Sequence, residues 1–511
     1  MTIKVSSIGL RGLEGYRVQV EVQICPGPES MVIVGLPDAS VKESKERVLS
    51  TIRSLEYNNL EQKIVVNLSP SEQKKNGPLF DLAIAIGILK ESNMLPTEIP
   101  TNTVFIGALS LDGTIEKVEG MLPALIAAKG LGFTRVFLPY DPLIPLDMLE
   151  GIECIVVHHI EDCIKHLLGQ PVLPLHSSIS PYIETSTASF EYPKDFAHII
   201  GHENAKQALE IAAAGGHNVL MSGPPGCGKS LLAETFPSIL PPLTKHQQLE
   251  VISLYQLAKE KLFHPQIPPY RHPHHSASSV AIVGGGTYPK PGEISLAHHG
   301  VLFLDEMAEF TKKTLDMLRQ PLETGKVTIS RAHSTVTYPA SFILIGAMNP
   351  CPCGYLGSNA HYCSCTPKQV QSYRNRVSGP VYDRIDILLA LTSVNLDQDH
   401  YESEPSSHIR ARVHRAIEQQ FSRYQCQINN AKVPFEQLIA TSPLTDRQRK
   451  MIAQVALKQR WSNRVQIKII RLARTISDLS GDLHITDESI WKALQLRRTH
   501  LQTEPLVAKK S

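Results

Sequence analysis

The 511 residues predict an α/β chain of about three domains, with sheet-based domains first and a helical one last. Three observations carry that expectation. Residues 1–170 alternate short apolar strands with helical periodicity; an apolar run at 218–221 leads into a glycine-rich loop and then a helix; from residue 408 onward the pattern is helical. Composition divides the chain into 1–170, a linker at 171–194, a central domain at 195–400 and a C-terminal helical domain at 401–511.

In the first segment, residues 18–22, 31–34, 63–67 and 104–107 read as strands, and 40–55 and 79–89 as helices. Residues 171–194 turn to proline, serine and threonine, which bury little, so an exposed linker is expected. A net charge of +2 assigns no partner by itself, and any affinity for nucleic acid must come from a local basic surface. The longest apolar run, 82–89, is too short to cross a bilayer, and residues 1–4 lack the apolar core of a signal peptide. A cytoplasmic protein with no membrane partner is expected. Nine cysteines in so long a chain are expected to be reduced or bound to metal.

The central segment is organised around Gly223, Pro224, Pro225, Gly226, Cys227, Gly228, Lys229, Ser230 and Leu231, a G-x-x-x-x-G-K-[ST] string between strand and helix. Backbone N–H groups of such a loop converge on one spot, which suits a polyphosphate. Lys229 is expected to reach the β- and γ-phosphates of ATP, and the Ser230 hydroxyl to complete the shell of a Mg²⁺ ion. A second apolar strand closes on Asp305, expected to hold Mg²⁺, and Glu306, expected to polarise the attacking water. A third ends at Asn349, whose amide is expected to hold that water from the other side. A fourth begins with Arg384, expected to stabilise charge on a neighbouring subunit's γ-phosphoryl group; a salt bridge to Asp383 or Asp386 is the alternative.

Residues 247–296 read as an insertion ahead of the Asp305 strand. They hold glycines at 284–286, which permit close backbone approach, and His272, His274 and His275. With His298 and His299 just beyond, these histidines lack acceptable ligand geometry and are read as solvent-facing or structural. Cys351, Cys353, Cys363 and Cys365 place four thiols within fifteen residues directly after Asn349. Two close thiolate pairs across a loop match tetrahedral Zn²⁺, with His361 as a spare ligand; free thiols and a redox switch are the alternatives. Zinc there would stiffen the loop joining Asn349 to the region of Arg384. Helices are expected at 409–424, 445–459, 463–479 and 486–498, with nine Lys or Arg from Arg447 to Arg474 as a plausible basic surface.

The phosphate loop, the Asp305-Glu306 strand, the Asn349 strand and Arg384, in this order, resemble the AAA+ ATPases. Closer strings (RHPHHSAS at 271–278, VGGG at 283–286, PGEISLAHHG at 291–300, NPCPCG at 349–354, SGPVYDRID at 378–386) resemble the Mg-chelatase-like proteins of the YifB/ComM family over nearly the whole chain. In the first domain, KNGPL at 75–79, GALSLDG at 107–113, VEGMLPA at 118–124 and VFLP at 136–139 resemble the proteolytic domain of the Lon family. That family's Ser–Lys dyad falls here on Leu79 and Ala124, which supply neither nucleophile nor base. Ser69 or Ser71 with Lys74 or Lys75 would replace it only by coincidence.

The resemblance implies a degenerate Lon-like domain, a AAA+ core and a helical lid whose Arg471 resembles the sensor-2 arginine. It also implies a bacterial homo-hexameric ring that hydrolyses ATP to drive branch migration of DNA junctions in homologous recombination and natural transformation, beside recombination proteins. Porphyrin metal insertion is not implied. Ring helicases of this branch carry a β-hairpin before the sensor strand, and residues 326–338 fit one with Arg331 and His333 at its tip. Lys326 and Arg331 are expected to meet DNA phosphates without reading bases, a solvated hairpin being the alternative. From another class, a chelatase-type motor that remodels a protein partner is the alternative function.

Overall fold

The computed structural model describes residues 3–55, 62–170, 192–262, 264–286, 289–331, 334–358, 361–393 and 403–497. Residues 171–191 of the expected linker and His333 of the expected hairpin tip lie outside them. The chain divides into two compact units, Met1–Ser189 with Lys245–Pro265, and Phe190–Thr244 with Gln266–Ser511.

In the first unit, strands Ile3–Arg11, Glu14–Pro26, Gln62–Ser69 and Ser30–Val34 lie side by side in that order, antiparallel except for the last pair. A second, parallel sheet joins Thr103–Phe105, Arg135–Leu138 and Glu153–Val156. Asp38 caps helix Ala39–Ser54 by accepting from the Val41 N–H at 2.8 Å, which answers one of the orphan donors of the first turn. Helix Asp81–Glu91 is apolar on every side because every residue from Leu82 to Leu89 is buried. Asp81 at its start is fully buried and accepts from Arg47 Nε (2.8 Å) and Leu109 N (3.2 Å).

Leu79 and Ala124, onto which the sequence resemblance places the Lon dyad, are 4% and 0% exposed within this apolar core. The buried Lys75 ammonium bonds the Pro70 carbonyl, so it is occupied by backbone and not by the hydroxyl of Ser69 or Ser71.

Helix Lys245–Ala258, which the sequence segmentation leaves within the ATPase core, belongs to the first unit. Its Leu249 and Ile252 enter that unit's core, Lys245 pairs with Glu150 (3.0 Å), and Gln256 donates to the Leu143 carbonyl (3.2 Å). The reason is physical: the helix carries an apolar stripe that must be covered, and the first unit covers it.

The second unit is built on a five-stranded parallel sheet in the order Tyr270–Arg271, Val301–Leu304, Ile343–Met348, Val219–Ser222, Ile387–Ala390. Val219, Leu220 and Met221 of the inner strand Val219–Ser222 are at most 1% exposed, and each such side chain stabilises by about 1.5–3 kcal/mol. Burial of this kind makes the strand a rigid post for the loop that follows it.

Helices Ser406–Tyr424, Phe435–Thr441, Asp446–Gln459, Asn463–Ser480 and Asp487–Arg497 form the C-terminal part. Thr445 and Gln448 close a capping box at the third, Ser462 caps the fourth, and Gly481 in the left-handed region (φ +80°) ends it. Buried polar groups join this bundle to the sheet. Asp386 accepts from Lys468 Nζ and Asn218 N, both at 2.8 Å, while His217 Nε2 bonds Thr475 Oγ1 at 2.8 Å. Burial drives the His217 pKa down to about 4, so this ring is neutral. For Asp386, burial works upward, but the Lys468 ammonium and the Asn218 amide hold the pKa below its ordinary value.

This network reduces the expected basic surface. Lys468 and Arg474 are buried, the latter on Asp478 Oδ1 at 3.0 Å. Truncating one member of such a pair would leave an uncompensated buried charge.

Candidate nucleotide-binding site

The loop 223–228 leaves the carboxyl end of strand Val219–Ser222, and Lys229 opens helix Lys229–Thr235. Gly228 of the motif (φ +83°) and the additional Gly226 (φ +76°) take left-handed conformations that a side chain disfavours, while at Gly223 a Cβ would come within 2.7 Å of the Leu391 carbonyl oxygen. Lys229 Nζ lies inside the loop, donating to the carbonyls of Gly223 and Pro224 at 2.8 Å each and to Asn349 Oδ1 at 3.3 Å. Ser230 Oγ donates to Asp305 Oδ2 at 3.0 Å. Two adjacent ligands of an octahedral Mg²⁺ at about 2.0–2.1 Å stand roughly 3 Å apart, so this hydroxyl–carboxylate pair fits the ion.

Register explains the convergence. Val219 lies opposite Ile345, and Val301 opposite Ile343, so three parallel strands finish at one edge and deliver Ser222, Leu304 and Met348 there. Asp305 and Asn349 are the next residues of two of them. Glu306 follows in the left-handed region (φ +47°, ψ 44°), uncommon for a non-glycine residue and of a kind that gathers at functional sites. Its carboxylate is 54% exposed and stands 3.4 Å from His275 Nδ1.

Arg384 stands elsewhere. It precedes strand Ile387–Ala390, in the turn after helix Gly379–Tyr382, and Ile387 lies opposite Val219 at the amino edge of the sheet. Its guanidinium donates to the Arg319 carbonyl (3.2 Å), the Pro380 carbonyl (2.8 Å) and Glu323 Oε2 (2.6 Å). The ion pair is therefore with Glu323, and neither Asp383 nor Asp386 takes it.

Arg471 donates from Nη2 to the Val433 carbonyl at 2.6 Å, within the helical bundle, so its bonded partner is backbone and not the phosphate loop. On the first turn of the same helix, Arg464 reaches the other oxygen of Glu323 (Oε1, 3.1 Å). One carboxylate thus gathers Arg384 and Arg464. Sequence reasoning missed Arg464; the signal was the Ser462 cap, which places Arg464 at the helix's open end.

Residues Lys326–Arg331 and Ser334–Pro339 form an antiparallel hairpin with Arg331 opposite Ser334 and Lys326 opposite Pro339. Val327 and Ile329 face inward, while Lys326 and Arg331 are exposed. The two cations sit at opposite ends of the strand, about 17 Å apart at roughly 3.4 Å per residue, and are not brought together.

The four cysteines do converge. Sγ of Cys351, Cys353 and Cys363 lie 3.3–3.7 Å from one another, and Cys365 completes a set within 4.8 Å. Tetrahedral Zn–S bonds of about 2.3 Å put sulfurs roughly 3.8 Å apart, so the set fits zinc. A hydrogen bond from the Tyr355 amide brings the Cys353 pKa down to about 6, favouring thiolate. His361 instead packs its ring on Tyr355 at 4.7 Å. The knuckle rests on the phosphate loop: a Cβ on Gly354 would come within 2.8 Å of Pro225 Cδ.

A glycine-rich phosphate loop on an inner strand of a parallel sheet, with the Asn349 strand paired beside it, the acidic strand next along and a helical bundle in the same unit, defines a AAA+-type nucleotide protein. Residues 195–399 match the family described as magnesium chelatase, subunit ChlI; residues 20–142 match subunit ChlI of Mg-chelatase, and 403–497 its C-terminal part. The chain is 37% identical over 493 residues to competence protein ComM of Haemophilus influenzae, covering 95% of each. It is 35% identical over 491 residues to YifB of Escherichia coli, again covering 95% of each. The chain belongs to the Mg-chelatase-like YifB/ComM family of AAA+ proteins. A Lon-protease-like N-terminal region is also supported: Lon protease 2 of Bacillus subtilis is 30% identical over 144 residues, 27% of this chain and 25% of that protein. No helix among the described residues is long and apolar enough to cross a membrane.

Proposed function

We propose that this protein is an ATP-driven DNA motor that works as a homo-hexameric ring in the cytoplasm and moves the branch point of DNA junctions during homologous recombination and natural transformation. The observation that carries this reading is the separation of the parts. Lys229, Ser230, Asp305 and Asn349 converge at one edge of the sheet, whereas Arg384 and Arg464 are gathered at Glu323, near the other. A site built in this way takes its γ-phosphate cation from a neighbouring copy, which requires a ring or filament. The similarity to a competence protein supports DNA as the substrate of the motion.

In the cycle, Lys229 and the loop amides hold the ATP phosphates; Ser230 with Asp305 would hold Mg²⁺, which would supply neutralisation of phosphate charge. Glu306 orients water and takes its proton as the water oxygen bonds to the γ-phosphorus. The bond from that phosphorus to the bridging oxygen breaks, and ADP leaves with the oxygen. Arg384, supplied in trans with Arg464 beside it, stabilises the charge on the transferring group. Asn349 and Lys229, already in contact, sense the γ-phosphate. Arg471 acts within the lid that transmits the change, while Lys326 and Arg331 on the hairpin meet DNA phosphates.

The test is junction migration by the full-length protein. Labelled three- and four-way DNA junctions are expected to be resolved with ATP and to stay intact with a non-hydrolysable analogue, and DNA is expected to stimulate ATP turnover. A turnover that responds to a protein or porphyrin partner and to no nucleic acid would replace the reading with the remodelling alternative.

Zinc is assigned a structural role at Cys351, Cys353, Cys363 and Cys365, with no ligand position left for catalysis. Elemental analysis is expected to find one zinc per chain, and Cys353→Ser to lose it. Because the knuckle presses on Pro225, the same variant is expected to weaken ATP binding. Full ATP affinity in zinc-free protein would disconnect the metal from the loop.

A further inference from the structure

Asn218 stands immediately before strand Val219–Ser222, which pairs with Ile343–Met348 on one side and with Ile387–Ala390 on the other. Its main-chain N–H donates to Asp386 Oδ2 at 2.8 Å, and its carbonyl accepts from the N–H groups of Asp386 (2.9 Å) and Ile387 (3.0 Å). The side chain reaches both ways: Oδ1 accepts from Leu344 N at 2.9 Å, and Nδ2 donates to the Arg384 carbonyl at 3.0 Å. One half-buried amide thus joins the strand that feeds the phosphate loop, the strand that ends at Asn349 and the turn that carries Arg384.

The Arg384 side chain is engaged within its own subunit by Glu323 and by the Arg319 and Pro380 carbonyls. To meet a neighbour's γ-phosphate it must leave these partners, and only the bonds to its main chain then set where it starts from. Its N–H donates to the Val381 carbonyl at 3.0 Å, within the same turn, and the carbonyl of the next residue, Ile385, accepts from Lys468 Nζ at 3.3 Å, from the helical bundle. The bond from Asn218 ties the Arg384 carbonyl to the phosphate-loop strand. A long side chain magnifies any shift at its root, and a misplacement of about 1 Å is enough to cost on the order of 10²-fold in rate.

We propose that Asn218 is a positioning residue for the arginine given in trans: its amide fixes the Arg384 main chain against the phosphate-loop strand, so that the released guanidinium meets the neighbouring subunit's γ-phosphate. This rests on the reading of Arg384 as a cation supplied in trans. An amide that merely stitched the sheet would act in another place. Leu344 lies on the strand leading to Asn349, so loss of a stitch is felt in the subunit that binds ATP.

The experiment mixes full-length subunits in equal amounts. Lys229→Ala subunits give Arg384 but lack a working phosphate loop, and Arg384→Ala subunits keep the loop but give no cation. Asn218→Ala is added first to one partner and then to the other, and ATP turnover is read beside melting, assembly and ATP affinity. In the subunits that give Arg384, Asn218→Ala is expected to lower the recovered rate about ten-fold, and in the ATP-binding subunits less than about two-fold. Asn218→Asp, which keeps the acceptor for Leu344 N and removes the donor to the Arg384 carbonyl, is expected to show the same asymmetry and carries the test if the alanine variant melts early. A loss equal in the two partners, a larger loss in the ATP-binding one, or no loss in either overturns Asn218 as a positioning residue. If the mixture without any Asn218 change assembles and stays inactive, the trans reading of Arg384 falls and takes the proposal with it, which separates the two failures.

Discussion

Glu306→Gln is expected to lower ATP turnover by about 10²–10⁴-fold while ATP binding and ring assembly persist. The glutamine keeps the shape of the side chain and can still accept a hydrogen bond from His275, but its amide cannot take the proton from water. Asp305 already accepts from both Ser230 and the Glu306 amide, so it is committed to the metal corner and is not free to substitute. The Glu306 carboxylate, by contrast, is half exposed and set by a left-handed backbone that aims it away from the strand. Single-turnover hydrolysis separates chemistry from binding, and a variant that hydrolyses ATP at the wild-type rate would remove Glu306 from the mechanism.

Arg384→Ala should lower turnover by about 10³-fold or more, the range in which a cation supplied in trans acts on phosphoryl transfer. Within its own subunit the 15%-exposed Arg384 side chain pairs with Glu323 and donates to the Arg319 and Pro380 carbonyls, so a melting curve beside the turnover assay separates a loss of fold from a loss of catalysis. The decisive measurement is mixing. Arg384→Ala subunits retain an intact phosphate loop, and Lys229→Ala subunits retain an intact Arg384. Each alone is expected to be inactive, yet mixed rings should contain interfaces with both parts and recover a fraction of the wild-type rate. Mixed assemblies that form and remain inactive would place Arg384 in a role confined to its own subunit.

The phosphate loop, Asp305 and Asn349 were legible because each ends an apolar strand, and strand ends in a parallel sheet meet by topology. The capped lid helices were legible for a related reason: Thr445, Ser462 and Gly481 are local signals that act within a few residues. Strand Ile3–Arg11 was missed, as its polar Ser6 and Ser7 interrupt the alternation and are buried by pairing with Glu14–Pro26. Edge strand Tyr270–Arg271 is two residues long and carries no period to read. Helix Phe435–Thr441 was also too short to stand out.

By itself, then, the sequence determined the family and the fold class of the protein, since each depends on which residue follows which. Tertiary structure alone decided that Glu323 joins Arg384 to Arg464, that Arg471 turns to Val433, that helix Lys245–Ala258 belongs with the first unit, and that one histidine of five meets Glu306. The physical reason is range. Motif and cap chemistry is satisfied by neighbours in the chain, whereas a long cationic side chain or an amphipathic face takes the partner that packing brings within a few ångströms, and sequence separation carries no trace of that choice.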